Sequence, residues 1–338
     1  MKSKKQGMAR GVLMAVALAL IGLLGLLSST ASAQTYLYNR ADFATGNGPT
    51  AAVTADFNGD GKLDLAVANR DDNTVSILFG KPDGTFATKV DYPTGSSPKA
   101  IVAADFNEDG KLDLAVVNQG ANTVSVLIGN GDGTFQARVD YPTGNSPVGI
   151  VAGDFNGDKK LDLAVVNQTD NTVSILPGRG DGTFQAQTLV TVDVNPVALA
   201  SGDFNGDGKL DLITSNDNQS LIFRNDGSVS VLLGRGDGTF ARVDSDGGYA
   251  PGAIALGDFN RDGILDVVVV DLVTSMSVLL GNGDGTFRLA PGSFLSRFVA
   301  PSIFAIDVNL DGKLDLVAAG NGPATTLLGN GDGTFQPP

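Results

Sequence analysis

Short apolar runs alternate with turn-forming residues along most of the chain. Between residues 99 and 140, Lys99–Ala104, Leu112–Val117 and Thr123–Ile128 are rich in Ala, Val, Leu and Ile, and Phe135–Asp140 alternates apolar with polar positions. Runs this short, bounded by Gly, Asn and Asp, predict β-strands, and no window has a helical period. We therefore expect four short antiparallel strands in this segment.

The same pattern recurs along the chain. The segment Asp56-Phe-Asn-Gly-Asp-Gly-Lys-Leu-Asp64 returns at Asp105, Asp154, Asp203, Asp258 and Asp307, at intervals of 49, 49, 49, 55 and 49 residues. A second motif of the form Gly-x-Gly-Asp-Gly-Thr-Phe follows each copy, although the first reads Gly80-Lys-Pro-Asp-Gly-Thr-Phe86. Four strands at a period near 50 residues are typical of a β-propeller blade. The sequence predicts an all-β, six-bladed β-propeller of four-stranded antiparallel blades.

The two ends of the repeat region complement each other. The chain stops at Pro338, where a fourth strand should begin, and Arg40–Gly46 matches the fourth-strand segment Lys89–Gly95. We expect Tyr36–Thr45 to complete blade six, which also protects the last open sheet edge. Residues 34–338 then form a single propeller domain closed by its N-terminal strand.

The first 33 residues have the features of a secretory signal peptide. Four basic residues precede the apolar run Gly11–Leu27, and Ala31-Ser32-Ala33 precedes Gln34. An apolar run shorter than about 20 residues favours cleavage near Ala33-Gln34 over a membrane anchor. We expect a secreted, extracellular or periplasmic protein with no membrane span after cleavage.

Composition excludes several classes of function. The chain has no Cys, His or Trp, which excludes disulfides, imidazole or thiolate metal sites and Ser-His-Asp catalysis. Its net charge is −14, and it becomes −18 once the four basic residues of residues 1–33 are removed. Such an acidic chain lacks the basic surface that phosphate neutralisation requires, so we expect no nucleic-acid partner. We expect a monomer.

The acidic segments have the spacing of a loop that binds a hard divalent cation. Side-chain oxygens at positions one, three, five and nine, with the main-chain carbonyl of position seven, supply the oxygen ligands that Ca²⁺ prefers. We predict up to six Ca²⁺ ions, one per repeat. The predicted ligands are Asp56, Asn58, Asp60, Lys62 and Asp64; Asp105, Asn107, Asp109, Lys111 and Asp113; Asp154, Asn156, Asp158, Lys160 and Asp162; Asp203, Asn205, Asp207, Lys209 and Asp211; Asp258, Asn260, Asp262, Ile264 and Asp266; and Asp307, Asn309, Asp311, Lys313 and Asp315.

Two other interpretations of these loops were weighed. An EF-hand needs Glu at position twelve, where Val67, Val116 and Val165 stand in the first three repeats, and it needs flanking helices. In the second alternative Asp and Asn only shape a turn, which both residues do readily. Neither catalytic acids nor a cofactor other than Ca²⁺ is predicted.

These motifs resemble the FG-GAP/VCBS repeats of the integrin α-subunit propeller and its bacterial relatives, over residues 35–338. The resemblance implies Ca²⁺ in the loop between the first two strands of each blade, at Asp56, Asn58, Asp60, Asp64 and their equivalents. Two features depart from the family pattern: integrin propellers have seven blades, and Lys159 stands where the other loops have Gly. Because Lys tolerates positive φ poorly and adds a charge, we predict that the Asp154–Asp162 site is the weakest.

The predicted topology divides the loops between two rims. The calcium loops and the Gly-Asp-Gly-Thr turns share one rim, and the 2–3 and 4–1 connections share the other. On the second rim we expect a ligand face that includes Tyr92, Tyr141 and Tyr249 in 4–1 connections, and Leu221, Ile222 and Phe223 in a longer 2–3 loop of blade four. The predicted function is a non-enzymatic binding or adhesion module for an unknown glycan or protein ligand, in which calcium is structural. The alternative is a propeller-fold polysaccharide lyase or hydrolase.

Overall fold

The computed structural model describes residues 41–217, 227–248, 251–271, 276–291, 302–319 and 324–336. These residues form strands, turns and bends, and no helix occurs among them. No helix that could span a membrane is found in the described part of the chain. The predicted Leu221, Ile222, Phe223 and Tyr249, and residues 36–40 of the predicted closing strand, lie outside the described residues.

Six antiparallel sheets follow one another along the chain, and each contains strands that are consecutive in sequence. The first three sheets, blades one to three, are β1 (Pro49–Ala55), β2 (Asp64–Asn69), β3 (Thr74–Leu78) and β4 (Val90–Pro93); β5 (Pro98–Ala104), β6 (Asp113–Asn118), β7 (Thr123–Leu127) and β8 (Val139–Pro142); and β9 (Pro147–Gly153), β10 (Asp162–Asn167), β11 (Thr172–Leu176) and β12 (Thr188–Thr191).

Blades four to six repeat this order. They are β13 (Pro196–Gly202), β14 (Asp211–Asn216), β15 (Gly227–Gly234) and β16 (Phe240–Gly248); β17 (Pro251–Gly257), β18 (Asp266–Asp271), β19 (Met276–Gly281) and β20 (Phe287–Leu289); and β21 (Ser302–Ile306), β22 (Asp315–Ala319) and β23 (Thr325–Leu327). The chain is an all-β, six-bladed propeller, as the repeat predicts.

The apolar core lies between the blades rather than within them. Both faces of the second strand are buried; Asp113–Asn118, for example, is buried at every position. One face of blade one, with Ala66 and Ile77, packs against Leu114 and Leu127 of blade two, and similar clusters join blades two and three, three and four, four and five, and five and six. A single blade cannot cover both of its faces, so the repeat is stable only as an array.

The fourth strand begins later than the sequence predicts. The expected strand Phe135–Asp140 is observed as Val139–Pro142. Phe135 instead forms an isolated bridge with Gly129, and the amide of Gln136 donates to the carbonyl of Ile128 at 2.8 Å. The first residues of the predicted strand, from Phe135, therefore close the turn instead of pairing as a strand.

The predicted closing segment is described only from residue 41. Among described residues, 41–46 form no strand, and blade six contains three strands. Phe43 nevertheless packs edge-on against Phe86 with ring centroids 5.2 Å apart, as Tyr92 does against Phe135 at 5.3 Å. Tyr92 lies in the fourth strand of blade one and packs on the next blade, blade two. Phe43 makes the same kind of contact with blade one. Strand pairing with blade six stays a prediction.

A polar network fixes the rim opposite the acidic loops. Asn118, fully buried at the end of β6, donates from Nδ2 to Thr123 Oγ1 at 3.0 Å and to Ser125 Oγ at 2.8 Å. Ser125 in turn donates to Asp140 at 2.6 Å. Gly95 passes so close that a Cβ there would lie 2.7 Å from the Asn118 side chain, which explains the glycine. Blade one repeats this network.

We expect Asn118→Ala to lower the free energy of unfolding by about 1–3 kcal/mol, because it removes two hydrogen bonds, of which the one to Ser125 is buried. Urea unfolding would measure the change. The matched control is Asn130→Ala, whose exposed Nδ2 bonds only Thr134 Oγ1 at 2.8 Å, and we expect a change within about 0.5 kcal/mol. Equal effects of the two variants would contradict a structural role for the network.

Candidate metal centres

The six acidic loops have one backbone conformation. Each joins the first and second strands of its blade, and positions four and six have positive φ in every copy. Position six includes Lys159 at φ 70°, against 81° for Gly110. The Lys159 amide donates to Asp154 Oδ2 at 2.8 Å, just as the Gly110 amide donates to Asp105 Oδ2 at 2.8 Å. Lys159 therefore does not change the backbone conformation of the loop. The prediction that this site binds calcium most weakly now rests only on backbone strain and on the added positive charge.

The first, third and fifth positions hold the loop together through its own amides. In blade two, Asp105 accepts from the amides of Asp109 and Gly110 at 3.2 and 2.8 Å, and Asn107 accepts from Asp109 at 3.1 Å. Asp109 accepts from the amide of Lys111 at 2.9 Å. The turn-shaping role weighed from the sequence is therefore real. A carboxylate oxygen that accepts one amide keeps a second lone pair for another partner.

The ninth position is a buried carboxylate at the start of the second strand. Asp113 Oδ2 accepts from the amide of Phe106 at 2.9 Å, and Oδ1 accepts from the amide of Gly129 at 2.8 Å. The same two bonds occur in every blade, and the exposed fraction is 0% at each ninth position: Asp64, Asp113, Asp162, Asp211, Asp266 and Asp315. This residue ties the loop to the end of the third strand.

Burial and neighbouring charge work against ionisation of the ninth aspartate. The pKa of Asp162 is raised to about 6, mainly by burial and to a smaller extent by the carboxylates of Asp158 and Asp154, while the two backbone amides oppose the shift. Burial likewise raises the pKa of Asp64, Asp113, Asp211 and Asp266. A nearby cation would favour the charged form of these groups.

The fifth position already has a cationic partner in several loops. Lys62 Nζ lies 2.8 Å from Asp60 Oδ2, and hydrogen bonds from the side chain and then the amide of Lys62 hold the pKa of Asp60 below its usual value. Similar pairs join Lys111 to Asp109, Lys209 to Asp207 and Lys313 to Asp311. No Lys or Arg of the described residues forms an ion pair with a ninth-position aspartate.

The donor set suits a hard cation, because each loop offers carboxylate, amide and main-chain oxygens and no nitrogen or sulfur ligand. In the present arrangement, no three His, Cys, Asp or Glu side chains of the described residues lie close enough together to hold a metal ion. The side chains of positions one, three and five face the loop amides instead. The predicted metal ligands of each blade thus lie in one loop and have suitable chemistry. That their oxygens converge on an ion stays a prediction.

Five of the six acidic loops are also bonded to the next blade along the chain. The amide of Gly133, in the Gly-Asp-Gly-Thr turn of blade two, donates to the carbonyl of Phe57 in the loop of blade one at 3.0 Å. Gly133 has φ 83°, a conformation that favours glycine. Four further junctions repeat the bond: Gly182 to Phe106, Gly238 to Phe155, Gly285 to Phe204 and Gly333 to Phe259.

The phenylalanines of the two motifs stack across the same junctions. Phe57 packs on Phe135 with ring centroids 5.8 Å apart, and the other four junctions have distances of 5.6–6.3 Å. Sequence analysis missed this role. The signal was the presence of one Phe in the acidic motif and another in the turn motif of nearly every repeat.

Two of the tyrosines predicted for the ligand face take part in contacts between blades. Tyr92 and Tyr141 lie in strands β4 and β8, not in the 4–1 connections where the sequence placed them. Their rings pack edge-on against Phe135 and Phe184 of the following blade, at 5.3 and 5.4 Å. The alternation of the fourth strand extends to the Tyr-Pro pair, which explains the misplacement. Both side chains are half-buried, and their part in a ligand face stays a prediction.

Comparison with known families agrees with the repeat. A family model described as an FG-GAP-like repeat matches residues 56–116, 105–165, 154–214, 217–269 and 258–318. The chain belongs to the FG-GAP-like repeat family. Four of the five matches start at the first aspartate of an acidic loop, and all five end within the second strand of the next blade, so the family unit spans parts of two consecutive blades. A search of curated protein sequences finds no match.

Solved structures share the fold of this FG-GAP-like repeat protein. A crystal structure of a protein from Lactobacillus plantarum has a TM-score of 0.63 and 15% identity, over 87% of this chain and 84% of that one. A lectin from Agrocybe aegerita that recognises non-reducing terminal N-acetylglucosamine has a TM-score of 0.59 and 21% identity, over 85% and 78% of the two chains. At these identities the likeness concerns the fold alone.

We expect Asp113→Ala to lower the free energy of unfolding by about 2–4 kcal/mol in EDTA, since it leaves two buried amides without acceptors. Asp109→Ala, in the same FG-GAP-like loop, removes an exposed acceptor and should change unfolding little in EDTA. Urea titrations of both variants would test this. Equal losses would contradict the distinct role of the ninth position.

A second pair of variants tests the strain at position six. Lys159→Gly should raise the free energy of unfolding by up to about 1 kcal/mol, because glycine adopts positive φ without a Cβ clash. Gly110→Lys makes the reverse change in the neighbouring blade and should lower it by a similar amount. Both are measured in EDTA by urea unfolding. A loss of stability in both variants would refute strain at Lys159.

Proposed function

We propose that this FG-GAP-like propeller is an exported Ca²⁺-binding module that recognises a glycan or protein ligand and has no catalytic role. Calcium would be held in each blade by the carboxylates of positions one, five and nine, the amide oxygen of position three and the carbonyl of position seven. When bound, the ion supplies positive charge to the loop. The chain's own residues set the loop shape and link it to the next blade.

The observation that carries the proposal is the six-fold recurrence of a fully buried aspartate beside two further loop carboxylates. Among the described residues, these buried groups have backbone amides as partners and no Lys or Arg. Burying a carboxylate without a counter-charge is costly. A divalent cation in each loop would relieve that cost six times. The signal peptide predicted in residues 1–33 supports export to a compartment where weak calcium sites are filled.

The ligand surface is proposed on the rim opposite the calcium loops. There, the amide of Ser97 donates to Asn73 Oδ1 at 2.7 Å, and Ser146 to Asn122 Oδ1 at 2.9 Å. These bonds join the 2–3 loop of one blade to the connection that follows it, and hold both loops in place. The side chains on this frame vary: Asn47, Ser96, Asn145 and Val194 occupy equivalent positions. A rigid frame with variable side chains suits a binding surface.

The lectin likeness supports only that a propeller of this architecture is compatible with sugar recognition. The acidic residues that a lyase or hydrolase would need are repeated from blade to blade and engaged with loop amides, which favours binding over catalysis. A glycan array together with a hydrolase and lyase screen would test this half of the proposal. Turnover of a polysaccharide by the purified chain would overturn it.

We expect calcium to raise the melting temperature of the purified mature chain and EDTA to lower it. At a free concentration ten times Kd, one site adds about 1.4 kcal/mol of stability, and several sites together add a large part of a domain's stability. Differential scanning calorimetry measures the shift, and isothermal titration calorimetry counts the sites, with Mg²⁺ as the control. Identical melts in calcium and EDTA would refute the calcium half of the proposal.

A further inference from the structure

One junction of the ring is built differently from the other five. Between consecutive blades, from the first pair to the fifth, an amide of the turn bonds the acidic loop and two Phe rings stack. Between blade six and blade one, Val308 replaces the loop Phe, and the amide of Gly84 donates to Lys81 within its own turn at 3.1 Å. No described atom would lie within 4 Å of a Cβ on Gly84.

Departures from the repeat occur on both sides of this junction. In four of the five other junctions, position four of the loop approaches the first glycine of the next turn: Glu108 Oε1, for example, would be 3.2 Å from a Cβ on Gly180. At the sixth junction, position four is Leu310 and the partner turn has Pro82 in place of that glycine. Apolar residues thus replace the usual residue on both sides of the same contact.

The apolar residues of blade six at this junction are exposed in the structure. Leu310 is 86% exposed and has φ 60°, and Phe304 of β21 is 40% exposed. The equivalent of Phe304 in blade one, Val53, packs in the cluster with blade two. A leucine at positive φ carries backbone strain, and an exposed leucine gains nothing from burial to offset it. These features are explained if Leu310 is buried in another state.

We propose that the junction of blades six and one is an apolar seam in which Leu310 packs on Pro82 and Phe304 packs on β1, and that this seam opens and closes. Blade one of the same chain covers the exposed surface of blade six, because blade one carries the matching apolar residue, Pro82, in place of a glycine. The aromatic contact of Phe43 with Phe86 already joins residues 41–46 to the blade-one side. The five other junctions keep the ring assembled while the seam is open.

The sign of a single stability change tests the seam. In the closed state Leu310→Gly loses buried apolar contact, so the melting temperature should fall by about 2–4 °C. If Leu310 were always exposed, glycine would relieve the positive φ and the melting temperature would stay or rise. The matched control is Glu108→Gly, at the same loop position with φ 59° and an exposed side chain, for which we expect no fall. Parallel behaviour of the two variants would overturn the proposal.

A cross-linking experiment tests which surface covers Leu310. The chain has no Cys, so Leu310→Cys with Pro82→Cys gives a unique pair. A short bis-maleimide should link the pair within one chain, as it should link Glu108→Cys with Gly180→Cys at the second junction. Non-reducing gels and mass spectrometry distinguish the products. Cross-linked dimers, or reaction of the control pair alone, would overturn the seam in favour of a second copy or of permanent exposure.

Discussion

A buried carboxylate that accepts two backbone amides is the interaction on which each blade depends. In blade two, Asp113 joins the start of the acidic loop, through Phe106, to the end of the third strand, through Gly129. The loss of such an acceptor leaves two amides without water or partner, which costs several kcal/mol. The order of strands in a blade and the shape of its loop are therefore fixed by the same residue.

The junctions transmit this arrangement around the ring. Phe57, the residue after the first aspartate of the blade-one loop, accepts the amide of Gly133 at its carbonyl and packs edge-on against Phe135 in blade two. Asp64 holds the amide of the same Phe57 at 3.0 Å. One phenylalanine is thus fixed on one side by its own blade and on the other by the next. A change in a loop carboxylate is felt by the neighbouring blade, which makes the array cooperative.

The sequence predicts the blade architecture well because the same pattern of strands and turns occurs six times. Strand order, the shared rim of loops and turns, and the position of the second strand follow from period and patterning. Prediction from the sequence fails where one residue has two roles. Phe135 and Tyr141 were assigned by local alternation, but their rings are placed by contacts with the next or previous blade, which no single-repeat pattern contains. A turn-shaping role for the acidic loops is an alternative to metal binding at the level of sequence, and the loop hydrogen bonds confirm that role without excluding the proposed calcium.

The hydrogen bonds within the acidic loops bear on the proposed calcium sites. Because Asp105, Asn107 and Asp109 already accept loop amides, the backbone is held in its turn by the protein itself. Little ordering is then needed when an ion binds, and the binding free energy is not spent on folding the loop. The amides do not remove the repulsion among the three carboxylates of a loop, although in four of the six loops a lysine at position seven pairs with the position-five carboxylate. Charge, rather than loop shape, is therefore the property of these sites that a cation would change.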